Sequence, residues 1–271
     1  MANASFSLTR EIEVRVSENL QQGVTHCPID STMFFKKSPS LGMAARQHFK
    51  LGMMHEVVGG VSVKPYAVLE VHPAERTARI VNDAEMERAA QLNDSAHFST
   101  NSTAFCMVME RAGGTEAGLI RKAVIERMLR NARDPSESTK LSRLLRDINI
   151  SQAAGDMNTG NQAPSAESEV ARRLGNIFDN YTHKAIHSKI FSAVSSIVGK
   201  LHEGGIAHGD LCGWNVMVTN GSTFSIVLID PNAECGCRAT RCAHFEKQAI
   251  WDDVHVKAFG TPFTRIFWSV V

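Results

Sequence analysis

An α+β fold in two lobes is what this sequence predicts, and three observations predict it. Strand-type segments concentrate before residue 110, helical-period segments follow it, and Glu110 to Gly114 between them reads as a connector. The N-terminal lobe is therefore placed at residues 1–112 and a small C-terminal lobe at 113–271. At 271 residues the chain can bury a large core. Its 29 Lys and Arg against 28 Asp and Glu leave it almost neutral, which argues against a polyanion-binding surface as a whole. No apolar run has the length needed to cross a bilayer, and the start MANASFSLTREIEVRV carries charge where a signal peptide would be apolar. The expectation is a soluble protein of the cytoplasm, the nucleus or both, with no membrane partner. Six cysteines, three of them crowded at Cys235, Cys237 and Cys242, form no spaced disulfide framework and suit a reducing compartment.

Taken in order, residues 7–35 carry short, partly alternating apolar segments. Ile12, Val14 and Val16, then Met33, Phe34 and Phe35, are expected in strands of a small sheet. Arg46 to Val58 reads as a helix interrupted only by Gly52, and Val61 to Val71 returns to strand-type sequence, as does Phe105 to Met109. After the connector, Leu119, Ile120, Val124, Ile125, Met128 and Leu129 share one face of a helix. Two stretches fit no packed element: an insertion near 82–103, of mixed charge with a Ser/Thr/Asn-rich end, and a disordered insertion near 134–168. The second holds SQAAGDMNTGNQAPSAES, which would cost entropy to order without much burial in return. Ile186, Ile190, Val194, Ile197, Val198 and Leu201 then recur at helical spacing until Gly204 and Gly205 stop the helix. Val216 to Val218, a turn at Asn220 and Gly221, and Phe224 to Ile229 form a hairpin with Asp230 at its end.

The chemistry-bearing residues sit around that hairpin. His208, Gly209, Asp210 and Leu211 form a loop after the helix, Asn215 follows five residues after Asp210, and Asp230 closes the apolar strand. Phosphoryl transfer asks for a carboxylate at the attacking oxygen and two oxygen ligands that hold magnesium against the nucleotide phosphates. Asp210 answers the first need, Asn215 and Asp230 the second. Separately each residue is more often structural; jointly, at this spacing and between these elements, they point to a phosphotransferase centre. Cys235, Cys237, Cys242 and His244 form C-x-C-x4-C-x-H, enough soft ligands for a tetrahedral zinc, although reduced thiols in a flexible segment are the favoured reading. Trp214 and His202 are expected to pack around the loop, and His208 to support it by hydrogen bonding.

The text from Leu201 to Asp230, LHEGGIAHGDLCGWNVMVTNGSTFSIVLID, resembles the catalytic loop and metal-binding strand of the protein-kinase-like superfamily. Gly209 directly after the His is shared with divergent branches: the RIO kinases, the aminoglycoside-type small-molecule phosphotransferases and the small atypical Ser/Thr kinase of the KEOPS (EKC) complex. Gln22 and Gly23 in LQQGVTH resemble the start of the last family's nucleotide loop, and FEKQAIWDDVHVKAF (Phe245 to Phe259) resembles one of its helices. In that helix Glu246, Ala249, Val254, Lys257, Ala258 and Phe259 are in register. Asp230, Pro231 and Asn232 stand where such kinases have Asp-Phe-Gly, and no basic tail is recognisable at Arg265 to Val271.

The resemblance implies a two-lobe protein-kinase-like fold with Asp210 as catalytic base and Asn215 and Asp230 as ligands of Mg2+. ATP would be bound by Gln22 and Gly23, by a lysine at Lys36 or Lys37 with Lys36 preferred, by Glu56 orienting that lysine, and by Glu110 at the connector. It further implies Ser/Thr kinase or ATPase activity within an assembly of KEOPS-type partners, including a threonylcarbamoyl-transferase subunit. Such an assembly supports N6-threonylcarbamoyladenosine formation, with tRNA as an indirect partner. A small-molecule phosphotransferase and a nucleotide-binding pseudokinase scaffold are the alternatives.

Overall fold

The computed structural model describes residues 10–91, 100, 102–153, 165–175, 177–220, 222–233 and 241–260. The chain is mixed α/β with antiparallel sheets and divides into two compact units. The first is built from Met1–Arg111, Lys200–Gly209 and Asp230–Ala249, the second from Ala112–Gly199, Asp210–Ile229 and Ile250–Val271. The division is therefore discontinuous, unlike the single cut after residue 112 expected from the sequence. The chain crosses from one unit to the other between Gly209 and Asp210, and again between Ile229 and Asp230.

In the first unit, α1 (Arg10–Gln21), β1 (His26–Pro28), β2 (Met33–Ser38), α2 (Leu41–Val58), β3 (Pro65–His72), β4 (Thr77–Ile80), α3 (Asp83–Gln91) and β5 (Ala104–Glu110) follow in order. The strands form one antiparallel sheet ordered β1-β2-β5-β3-β4. Side-chain alternation gives it two apolar faces. Met33, Phe35, Ala67, Leu69, Val71, Cys106 and Val108 pack with Ile12 and Val16 of α1 on one. Val68 and Phe105 pack with Leu41, Ala44, Ala45 and Phe49 of α2 and Met86, Ala89 and Ala90 of α3 on the other. The side chain of Ser40 caps α2 by accepting from the Met43 amide.

Two expectations for this unit are corrected. Ile12, Val14 and Val16 lie in a helix, not a strand. Their spacing satisfies both periods, but Ile12 and Val16 are also one helical turn apart, and half-buried Leu20 extends that face. Glu11 and Glu13 in the first turn favour the helix through its macrodipole. The insertion expected near 82–103 contains α3, because Met86, Ala89 and Ala90 make a small apolar stripe that α2 covers; residues 92–99 and 101 lie outside the described residues.

The second unit holds β6 (Thr115–Glu116), α4 (Ala117–Asn131), α5 (Pro135–Ala153), α6 (Ala166–Leu174) and α7 (Ile177–Asn180). Most of α8 (His183–Glu203) belongs to it, as do β7 (Val216–Asn220), β8 (Ser225–Leu228) and the C-terminal part of α9 (Phe245–Gly260). Strands β6, β7 and β8 form a three-stranded antiparallel sheet. Asn220 pairs with Ser225, so β7 runs through the residue expected in the turn and the loop is longer than a two-residue hairpin. Among the described residues, no helix is long and apolar enough to cross a membrane.

Much of the segment expected to be disordered at 134–168 is helical. Asp134 caps α5 by accepting from the Ser136 amide, and Pro135 begins it with a preset φ. Leu141 then packs on Ile125 of α4, joined by Met128, Leu129, Leu144, Leu145 and Trp214. The overall composition is polar, but three leucines on one side suffice for a docked amphipathic helix. Residues 154–164, the most Gly- and Asn-rich part, lie outside the described residues. Leu141→Ala is expected to lower stability by about 2–3 kcal/mol, as for other buried leucines. Urea denaturation checks this; a midpoint equal to that of the wild type would mean that α5 does not dock.

Candidate active site

Asp230 follows β8 directly, and its backbone stands at φ +56°, the left-handed region that non-glycine residues rarely occupy. Such conformations cost about 1–3 kcal/mol and cluster at functional positions. The carboxylate is gripped from two elements of the first unit. Lys36 Nζ on β2 donates to both oxygens, at 2.6 and 2.7 Å, and Gln47 Nε2 on α2 donates to Oδ1. The residues after it are also fixed. Pro231 is buried, the Asn232 amide donates to the His208 carbonyl at 2.9 Å, and Lys50 Nζ donates to the Asn232 carbonyl. Lys50, itself buried, also donates to Gln248 Oε1 in the first turns of α9 at 2.7 Å.

Pleating explains why Lys36 and not Lys37 reaches Asp230. Phe35 points into the core beneath α1, so Lys36 points to the α2 side. Lys37, paired in register with Cys106, shares the face of that thiol. Burial pushes Cys106 up to about 12, which makes it a packing residue and not a nucleophile.

In the second unit, Asn215 is buried between the loop and β7, and its Nδ2 donates to the Asp210 carbonyl at 2.8 Å and to Asp210 Oδ2 at 3.0 Å. The amide therefore orients the carboxylate, while Asn215 Oδ1 accepts no hydrogen bond among the described residues. The Asn215 amide donates to the Cys212 carbonyl and the Ile229 amide donates to the Asn215 carbonyl, which ties the loop to the residue that ends the hairpin. Trp214 lies over Gly118 of α4, where a Cβ would meet its ring at 3.0 Å, so this tryptophan packs. In the first unit His202 meets Phe245 edge-on.

The other four binding residues expected from the sequence, Gln22, Gly23, Glu56 and Glu110, occupy three places in the first unit. Gln22 and Gly23 close α1 and do not form a phosphate loop: their amides donate to the Glu18 and Leu20 carbonyls, and Gly23 at φ +81° is the left-handed residue after a helix. Glu56 is exposed in the last turns of α2 and makes no ion pair among the described residues, whereas Gln47 is the α2 residue that meets the site. Exposed Glu110 ends β5 and ties the residue before β3: its amide donates to the Lys64 carbonyl, and its Oε2 accepts from the Lys64 amide. Gln47, Lys50 and Gln248 were missed because a search for a charge partner of lysine looks only for acids. The available signal was Lys50 itself, a lysine between Phe49 and Leu51 on an otherwise buried stretch of helix.

Among the described residues no group of three His, Cys, Asp or Glu side chains is disposed to hold a metal ion. Cys235 and Cys237 of the expected zinc pattern lie outside the described residues, with Cys242 half-buried and His244 exposed. Nucleotide-bound magnesium does not use such a cage; it takes one or two protein oxygens together with phosphates and water. The hard oxygens of Asp230 and Asn215 Oδ1 fit that demand in donor chemistry. No family model, no curated protein and no solved structure matches this chain.

Gly209 stands at φ +78°, and a Cβ there would lie 2.8 Å from Gln248 Cδ, a side chain held in place by Lys50. Gly209→Ala is therefore expected to destabilise the protein by about 1–2 kcal/mol from backbone strain and overpacking together. Thermal unfolding measures it, and an unchanged transition would remove the close approach as the reason for glycine here.

Proposed function

We propose that this chain is an ATP-dependent phosphotransferase with a two-lobe protein-kinase-like fold, an atypical Ser/Thr kinase or ATPase of the KEOPS type. The observation that carries the phosphotransferase reading is the Lys36–Asp230 pair, which joins residues 194 apart in the chain. A lysine on a sheet strand, a helix after that strand and an acid beyond the catalytic loop are the phosphate- and metal-handling parts of a protein kinase. The strained backbone of Asp230 and the Asp210–Asn215 hydrogen bond support the same assignment. The finer KEOPS assignment rests on the sequence resemblance of Phe245 to Phe259, which lies on α9.

In this reading Asp210 accepts the proton of the attacking hydroxyl or water, and Asn215 keeps that carboxylate turned to its task. Lys36 leaves Asp230 for the α and β phosphates when nucleotide binds. Asp230 and Asn215 Oδ1 are the oxygens that would hold Mg2+, and the metal would supply neutralisation of the charge developing on the phosphate oxygens. A nucleotide-binding scaffold is the second reading, favoured by one observation: the glycine expected in the phosphate loop caps a helix instead.

Asp210→Asn preserves size and hydrogen bonding but removes the base, so phosphoryl transfer should fall by about 100-fold or more while nucleotide binding persists. Steady-state ATP turnover, with and without a threonylcarbamoyl-transferase subunit, tests this. A wild type that binds ATP without turnover under either condition would favour the scaffold. Depletion in the host is expected to lower threonylcarbamoyladenosine in tRNA, read by nucleoside mass spectrometry; an unchanged level would move the assignment to a small-molecule phosphotransferase.

Lys36→Ala should weaken ATP binding by about tenfold or more, the loss of a charge-assisted hydrogen bond, whereas Lys37→Ala should leave it close to wild type. Calorimetric titration of both variants is the measurement, and equal losses would contradict the pleating argument.

A further inference from the structure

We propose that Lys50 is a positioning residue for Asp230, a buried ammonium that locks the Asp230–Asn232 turn onto α2 and the start of α9; this deepens the phosphotransferase reading and rests on it. Lys50 and Gln47 are three apart on α2 and so share a face. Gln47 holds the carboxylate of Asp230, and Lys50 holds the carbonyl of Asn232. The Asn232 amide is meanwhile bonded to the His208 carbonyl, so both backbone polar groups of this residue are engaged. Pro231 between them is buried and has a fixed φ. The turn is thereby held at three consecutive residues, and Gln248 braces the ammonium from α9.

Stability alone does not account for a lysine here. Removing an ammonium from water is costly, and well-packed apolar residues commonly replace buried charges at no loss. At position 50 an apolar residue would leave the Asn232 carbonyl and Gln248 Oε1 without this donor. The ammonium therefore fixes where the chain passes after Asp230, and through that where the carboxylate points. Residues that orient metal ligands from behind typically change metal affinity by 10- to 100-fold when lost.

The test measures Mn2+ affinity by electron paramagnetic resonance in the presence of a non-hydrolysable ATP analogue, alongside hydrogen exchange of the folded protein. Lys50→Met is expected to weaken Mn2+ binding by about tenfold or more. Exchange in the peptide Asp230–Ala233 should quicken, while amides of β3 and β5 stay as protected as in the wild type. A folded Lys50→Met protein with wild-type Mn2+ affinity would overturn the inference. Should that variant fail to fold, Gln248→Ala removes one acceptor of Lys50 and is expected to weaken Mn2+ binding by about threefold or more; wild-type affinity there overturns the inference equally. Wild-type protein that binds no Mn2+ with the nucleotide would sink the phosphotransferase reading and this inference together. Binding by wild type and both variants alike would sink the inference alone.

Discussion

The conformation of one aspartate constrains much of the first unit. Asp230 has a left-handed backbone, and its carboxylate is shared by Lys36 and Gln47. The pair with Lys36 is more than one-third exposed on both sides, so it contributes no more than about 1 kcal/mol. The left-handed backbone costs as much or more. The ion pair alone therefore does not explain why Asp230 is held this way. The buried Pro231, the doubly bonded Asn232 backbone and the buried Lys50 impose the conformation, and the carboxylate is left presented to a partner it can exchange. An arrangement that spends stability to expose a carboxylate fits a ligand-handling role better than a structural one.

Gln47 shows how charge selects residue type at such a point. A lysine facing a single carboxylate is already neutralised by it. A glutamate at position 47 would set a second carboxylate against Asp230, and like charges at hydrogen-bond distance raise the cost of ionising both. An amide instead donates to Asp230 and adds no charge. The helix thus supplies a neutral donor where the sequence reading sought an acid at Glu56, and the acid that balances Lys36 comes from beyond β8. Lys36 itself is placed by its neighbours. Phe35 in the core fixes the face, and Asp30 fixes the turn before β2 by accepting from the Thr32 and Met33 amides. A register slip of one residue would bury Lys36 and expose Phe35.

Local signals with a single physical meaning were legible in the sequence. The helix Ile186 to Leu201 and its stop at Gly205 depend on periodicity and backbone freedom that no distant contact overrides. Signals with two meanings were not. Ile12, Val14 and Val16 satisfy strand and helix periods, and only the apolar sheet face against α1 decides between them. Gly23 has the residue type of a phosphate loop and of a helix cap, and the carbonyl of Leu20 decides. Composition failed at α5 because average polarity hides a stripe as narrow as Leu141, Leu144 and Leu145, which needs only one partner helix. The buried polar group around Lys50 was largely hidden for a further reason: its members come from separate stretches, and of them Lys50 alone, set between Phe49 and Leu51, carries a local sign of burial.

The absence of a glycine hairpin at Gln22 and Gly23 bears on how nucleotide would be held. In many nucleotide sites, successive backbone amides of a loop supply most of the phosphate contacts without charge. Here the turn between β1 and β2 is closed upon itself by Asp30, with the Thr32 and Met33 amides already bonded to that carboxylate. On the phosphotransferase reading, phosphate contacts then fall to Lys36 and to the metal held by Asp230 and Asn215. On that reading Lys36 and the metal would compete for the same carboxylate until nucleotide arrives, because the ammonium donates to both of its oxygens. Nucleotide gives the ammonium a new acceptor and frees the carboxylate, so metal and nucleotide would each favour the binding of the other. A site built this way would have low affinity for either component alone. On the phosphotransferase reading, selectivity for the metal–nucleotide complex would come from one lysine having two places to go.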